Sequence, residues 1–436
     1  MKLRQFVSVG LFLSFICSAP AQAPRKSTRP LLPSAFKLIS IRVAGTKRYT
    51  PDQIKAATGL QLGQTVSEDD FKAVSRHLGE TGAFSDVAYA FQYSSEGAKL
   101  DIQIADATQI VPARFDNFVW LTDQELLQKL QARVPLFNGA LPVAGNLADQ
   151  VADALQALVT ERNLQGKVDY LRYAPEDGPI TAFVFTVGGP AVHIRNVEFA
   201  EAAAPELPLL QAAAKALQGR EYLRSVVRVY DEKDFLPIYL ERGYLKAAFA
   251  DAQPKIVQET PEETIVDVTV SVTPGLQYRM SDLQLSGYKA FEADNLRGLI
   301  HQQPGQPANT VQLAKDIDEI KNLYGTRGYM AASIKPEPEF DDAHSTVRYL
   351  LEFHEGDVYK MGDLEIHGLD SRTTARMVDA WKLRGGDVYD SSYPMQFVKE
   401  WMKELSRMGE WNVAMHTTLE DKDKLVDVTI RFDPKR

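Results

Sequence analysis

The side chains that most often do chemistry are few and scattered along this chain. Seven histidines are present, His77, His193, His301, His344, His354, His367 and His416. None stands with carboxylates at the spacing of a metal site, and no phosphate loop, dinucleotide glycine pattern or nucleophile elbow occurs. His354 and His367 flank one short link and could meet in space, but two imidazoles alone are ordinary surface histidines. The acidic stretches have a simpler use. Ser67-Glu68-Asp69-Asp70 reads as a helix start, with Ser67 as cap and the acids favouring the amino end. Asp316, Asp318 and Glu319 read as the solvent side of a helix. The single cysteine, Cys17, lies in the leader, so no disulfide supports the mature chain. These residues call for no catalysis, no metal and no cofactor.

Attention therefore moves to the elements themselves. Met1 to Ala23 (1–23) reads as a secretory signal peptide. Lys2 and Arg4 supply the positive end, and Phe6 to Cys17 is an apolar run too short for an ordinary membrane anchor. Cleavage after Ala21 competes with cleavage after Ala23, because Pro24 follows the latter. Ser14-Phe15-Ile16 is a poor lead for a lipidated Cys17. Residues 24–35 form a polar, proline-containing lead-in. No second stretch is long and apolar enough for a transmembrane helix. The net charge of -9 and pI of about 5.4 argue against nucleic acid as the main partner. A length of 436 residues calls for several domains.

A marker recurs through the mature chain, each time at the end of an amphipathic helix. It reads Thr81-Gly82-Ala83-Phe84, Arg162-Asn163-Leu164, Arg242-Gly243-Tyr244, Arg327-Gly328-Tyr329 and Met408-Gly409-Glu410-Trp411, with spacings of 81, 80, 85 and 81 residues between the Gly or Asn positions. Gly, and next to it Asn, ends helices because it accepts a left-handed backbone. The helices before the markers carry apolar faces: Phe71, Val74 and Leu78; Ala152, Leu155 and Val159; Phe235 and Tyr239; Leu313, Ile317, Ile320 and Tyr324; Val398, Trp401 and Leu405. Pro237 should distort the third of these.

Each unit opens with a strand, ending at Gly45, Gly287 and Gly368 in the first, fourth and fifth units and at Asn117 in the second. The third lacks this turn and reads Ala200-Glu201-Ala202 instead. Each closes with an alternating strand such as Val347, Tyr349, Leu351 and Phe353. The order is strand, helix, helix, strand, strand. A parallel pairing of the first strand with a later one needs a long crossover, which the helix pair supplies. The predicted architecture is therefore α+β: five tandem β-α-α-β-β domains, each a three-stranded mixed sheet covered by two helices. They span 36–107, 108–189, 190–275, 276–357 and 358–436, joined by short links.

This pattern resembles the polypeptide-transport-associated (POTRA) domain. Five in tandem behind a signal peptide are similar to the periplasmic arm of Omp85-family outer-membrane assembly proteins, without the C-terminal barrel. The resemblance covers roughly residues 36 to 433 and is strongest in the first, fourth and fifth units. It implies a non-catalytic periplasmic scaffold or accessory, possible at the periplasmic face of the outer membrane. Implied partners are an outer-membrane barrel protein, unfolded outer-membrane clients and periplasmic accessory proteins. It also implies β-strand addition at the free edge of each second strand. Carried onto this chain, the edges are 86–93, 166–173, 246–252, 331–336 and 412–417. The candidate residues are Asp86, Val87, Tyr89, Phe91, Tyr93, Val168, Tyr170, Ala247, Phe249, Ala331, Ser333, Val413 and Met415. Pro254 and Pro336 are expected to stop growth of the sheet. Two other readings stay open: the arm of a longer barrel protein, and a spacer or docking protein of another envelope complex.

Overall fold

The structure, a computed structural model, describes residues 32–175, 178–189, 191–260, 263–407 and 409–435. The signal peptide, Cys17 and Met408 lie outside the described residues. Five α+β units follow one another. The first has β1 (Leu38–Ala44), α1 (Pro51–Thr58), α2 (Glu68–Glu80), β2 (Phe84–Tyr93) and β3 (Ala98–Asp106). The second has β4 (Ile110–Phe115), α3 (Asp123–Arg133), β5 (Ala140–Pro142), α4 (Leu147–Glu161), β6 (Lys167–Tyr173) and β7 (Ala182–Gly188). The third has β8 (Ala191–Ala200), α5 (Leu207–Ala214), α6 (Arg224–Tyr230), α7 (Leu236–Leu240), β9 (Ala248–Phe249), β10 (Gln253–Glu259) and β11 (Glu263–Thr273). The fourth has β12 (Arg279–Ser286), α8 (Ala293–Arg297), α9 (Thr310–Gly325), β13 (Ser333–Asp341) and β14 (Thr346–His354). The fifth has β15 (Lys360–His367), α10 (Ser371–Ala380), α11 (Tyr393–Leu405), β16 (Trp411–Glu420) and β17 (Leu425–Pro434).

By contacts the described residues divide into two compact units. One holds the described residues up to 114 with 123–158 and 170–184. The other holds 115–122, 159–169 and the described residues from 185 onward.

In the first, third, fourth and fifth repeats the opening strand pairs in parallel with the closing strand, which takes the middle of the sheet. The second strand then pairs antiparallel on the other side. The expectation of three strands throughout needs correction. The second repeat adds β5 and has the order β5-β4-β7-β6, while the third adds the two-residue β9 on β11. A three-residue strand has no period for a sequence reading to detect.

The helices form where the caps and apolar faces place them. Ser67 and Asp70 make a reciprocal capping box at the start of α2. Phe71, Val74 and Leu78 are buried beneath the helix, as are Leu313, Ile317, Ile320 and Tyr324 of α9. Pro237 does interrupt its helix: residues Asp231–Phe235 form a π turn between α6 and α7.

The turns after the first strands show what the glycine is for. A Cβ on Gly287 would lie 2.5 Å from the Phe353 carbonyl oxygen of the closing strand. Asn117 solves the same problem differently. Its side chain bridges the Val187 main chain, donating to the carbonyl at 2.9 Å and accepting from the N–H at 2.8 Å. In the third repeat, Glu201 itself adopts the left-handed conformation, at φ 63°.

The marker at the end of each second helix has a second role. Asn163 is left-handed, at φ 57°, as its place in the series requires. The Gly243 carbonyl accepts the Tyr278 N–H at 2.7 Å, and the Gly328 carbonyl accepts the Tyr359 N–H at 2.8 Å. Gly243 and Gly328 thus each end a helix and hold the start of the next repeat. Lys246 adds an ion pair to Asp342 at 2.8 Å across the third and fourth repeats, and Lys424 pairs with Asp357 at 3.3 Å in the fifth.

Candidate protein-binding edges

With the closing strand central, each second strand is left at the end of its sheet. A strand at the end of a sheet is a template on which another strand can pair. In the first and fourth repeats the second helix packs beside the second strand.

In the first repeat, β2 carries Asp86, Val87, Tyr89, Phe91 and Tyr93. Val87, Tyr89, Phe91 and Tyr93 are half-buried against the helices, whereas Asp86 is exposed beside a register shift. Phe91 lies 5.2 Å from Phe71 of α2 and 5.4 Å from Tyr93, ring centre to ring centre. Ser75 of α2 donates its hydroxyl to the Val87 carbonyl at 3.2 Å. That contact had no signal in the sequence, because it depends on the helix–strand packing alone.

In the second repeat, Val168 and Tyr170 lie on β6, at the end of the sheet. Val168 is buried. The Tyr170 hydroxyl bonds the Asp149 carboxylate at 2.7 Å, and its ring packs on Phe183. Burial, with that carboxylate, raises the Tyr170 pKa.

The third repeat departs from expectation. Ala247 belongs to a turn, its N–H donating to the Tyr244 carbonyl at 3.1 Å. Phe249 lies in β9 and packs on Phe235 and Tyr239. The main edge strand is β10, which includes Pro254, and not 246–252. Ala252 is buried between the two pieces, where its carbonyl accepts the Tyr222 hydroxyl at 3.3 Å.

In the fourth repeat the edge also lies further along than expected. Ala331 is in the turn after α9, and Ser333 opens β13. The strand runs through Pro336 and Pro338 to Asp341. An apolar groove of about 430 Å³ lies between β13 and α9, lined among others by Leu313, Ile317, Pro336, Pro338, Phe340 and Tyr349. Burial pushes the Tyr349 phenol up to about 12.

In the fifth repeat, Val413 and Met415 sit on β16, half-buried on the helix side. This strand is also longer than expected, reaching Glu420.

Asp316 is corrected from a solvated acid to a fully buried one. Its carboxylate accepts the His301 N–H at 2.9 Å, contacts His301 Nδ1 at 2.8 Å and accepts from Gln312 at 2.8 Å. It holds the loop between α8 and α9. Position 316 is three residues after Leu313 and four before Ile320, so helical spacing already placed it on the buried stripe. Among the described residues no group of three or more His, Cys, Asp or Glu is arranged to hold a metal ion. Among them, too, no helix is long and apolar enough to cross a membrane.

Residues 278–356 match the family model for POTRA, described as surface antigen variable number repeat. The fourth repeat is a POTRA domain. The remaining units are POTRA-like in their order of strands and helices. POTRA domains are non-catalytic scaffolds. A Treponema pallidum protein whose name points to an outer membrane protein assembly factor is 23% identical over 155 residues, covering 35% of this chain and 18% of that protein. The outer membrane protein assembly factor BamA of Neisseria meningitidis serogroup B is 19% identical over 386 residues, covering 84% of this chain and 45% of its own length. The chain thus spans less than half of either relative. A crystal structure of Haemophilus influenzae BamA POTRA3-5 covers 57% of this chain and 98% of that one, at 21% identity and a TM-score of 0.45.

Proposed function

We propose that this chain is a periplasmic protein-binding scaffold in outer-membrane protein assembly or transport. It engages client or partner polypeptides by β-strand augmentation along the free edges of its second strands. The five repeats act as five POTRA domains, with boundaries at the short links near residues 107, 189, 275 and 357. The named relatives support the assembly setting, since both carry outer membrane protein assembly in their names. The observation that carries the binding mode is the recurrence of the second strand at the end of its sheet. Main-chain bonding gives such an edge tolerance of client sequence, and the half-buried side chains beside it favour an alternating client strand. The partners are unfolded outer-membrane proteins or a separate outer-membrane barrel, and the chain works at the periplasmic face of that membrane.

The test uses the mature chain, isotopically labelled, and synthetic strand peptides cut from an outer-membrane barrel. Adding excess peptide should shift amide signals along one or more second strands. Unchanged signals at every edge would sink strand addition. An unfolded barrel precursor should also stay soluble longer with the chain present. If aggregation proceeds at the same rate, the scaffold role falls as well.

A further inference from the structure

The free edges are not equivalent. In an antiparallel ladder, opposed residues alternate between pairs that exchange both main-chain bonds and pairs that exchange none. Residues of the second kind turn their N–H and C=O groups outward, towards any added strand. Proline has no N–H and therefore occupies only such outward positions.

On β13, Pro336 faces Leu351 and Pro338 faces Tyr349. Both are therefore outward, and so, two residues either side, are Ile334 and Phe340. Of these four successive outward positions, two lack a donor.

On β2, Ser94 and Gly97 exchange both bonds, at 3.0 and 3.2 Å, just beyond the strand. This sets Val87, Tyr89, Phe91 and Tyr93 outward, and the Ser75 hydroxyl on the Val87 carbonyl agrees with that assignment. On β16, Pro434 opposes Trp411, so this pair exchanges no bonds. The Lys435 N–H bond to the Glu410 carbonyl, at 2.8 Å, gives the same phase. Trp411, Val413, Met415, Thr417 and Leu419 are outward. Neither β2 nor β16 contains proline.

We propose that Pro336 and Pro338 close the fourth repeat to strand addition, whereas β2 and β16 keep every outward donor and accept an extended client. This rests on the strand-addition reading above. The occupant is an extended polypeptide segment with alternating apolar residues. Tyr89 and Phe91 in one repeat, and Val413 and Met415 in the other, half-bury apolar side chains beside the outward main chain, so the client's inward side chains meet an apolar wall. On β13 the groove is present but half of the main-chain donors are missing. A client there would leave two of its own carbonyls without partners.

Trapping can test this, because the only native cysteine is Cys17 in the leader. Single cysteines are placed on the exposed face of each edge in the mature chain: Ala90→Cys, Glu337→Cys and Ala414→Cys. Each is equilibrated under a thiol redox buffer with a ten-residue alternating strand peptide bearing one cysteine. Disulfide capture at 90 and 414 should exceed capture at 337 by roughly thirtyfold, since each missing main-chain bond is worth about fivefold. The double change Pro336→Val with Pro338→Thr should raise capture at 337 towards that of the other two. Met415→Pro should lower capture at 414 about fivefold, because it removes one outward donor and no ladder bond. Equal capture at 337 in the parent, or no gain in the double variant, overturns the closure while strand addition stands. No capture at any edge overturns strand addition and the closure together.

Discussion

Gly328 ends α9 at φ +81° and also lies against the next repeat, where its carbonyl accepts the Tyr359 N–H at 2.8 Å. A Cβ there would stand 2.7 Å from the Tyr359 carbonyl oxygen and 3.0 Å from a Val358 methyl. Gly305 in the same repeat has nearly the same conformation, φ +86°, but a Cβ on it would meet nothing within 4 Å. The two glycines therefore separate backbone cost from docking cost. Alanine in a left-handed conformation costs about 1–2 kcal/mol at either site. Only at 328 must the neighbouring strand also move, and that loses a main-chain hydrogen bond worth about 1 kcal/mol and leaves buried polar groups poorly matched. Gly328→Ala should thus cost roughly 2 kcal/mol more at the junction than Gly305→Ala. Native-state hydrogen exchange reads this locally, which suits a multi-repeat chain that need not unfold in one step. The Tyr359 amide should exchange about thirtyfold faster in Gly328→Ala and at the parent rate in Gly305→Ala. The control variant should instead speed the Met280 amide, which bonds the Gln306 carbonyl at 2.9 Å in the loop around Gly305. Unchanged exchange at Tyr359 in Gly328→Ala, or an equal rise in both variants, would refute the marker as a junction between repeats.

Asp231 is buried in the π turn of the third repeat, and burial raises its pKa from 3.8 to about 7 despite the opposing charge of Arg228. The folded state then binds a proton that the unfolded chain releases, so stability falls between about pH 4 and pH 7 and stays lower above that. A rise of about three units sets a ceiling of ~4 kcal/mol, and Asp231→Asn should match the parent near pH 4 and unfold at higher urea at pH 8; equal midpoints at both pH values would refute it. His301 loses its contribution in the same direction, as pH rises, but because its charged form is the favoured one. Its hydrogen bond to Asp316 raises its pKa, so the stabilising charge is fully present below the unfolded value of 6.5 and lost as pH rises through the folded value. His301→Gln should therefore lower the melting temperature at pH 5.5 and do so much less at pH 9, and a pH-independent difference would exclude the charge. Asp316→Ala removes the acceptor of two main-chain and side-chain donors in a buried place and should cost about 3 kcal/mol, read as loss of exchange protection at the His301 amide; retained protection there would count against it.

Much of the architecture was legible because it repeats. A helix-ending Gly or Asn recurs every eighty-odd residues, and Asn163 takes the same left-handed backbone as Gly82, Gly243 and Gly328. Alternation placed Tyr89, Phe91, Val413 and Met415 together on the helix-facing side of their edges, since a strand's side chains alternate whatever its partners are. What stayed hidden depends on tertiary neighbours. The three residues of β5 have no period, and β10 begins only after a kink at Ala252 that Tyr222 pins from another element. Asp316 was judged by its charge and not by its place on the stripe of Leu313 and Ile320, because only the fold supplies the His301 main chain that makes a buried carboxylate tolerable. The missing N–H of Pro336 is legible in the sequence, but which side of the strand it would face is not. Once β14 sets the phase, the same residue becomes permissible inside the strand and obstructive outside it. Sheet edges are thus a place where a sequence names the right residues yet leaves their consequence undecided until the partner strand is known.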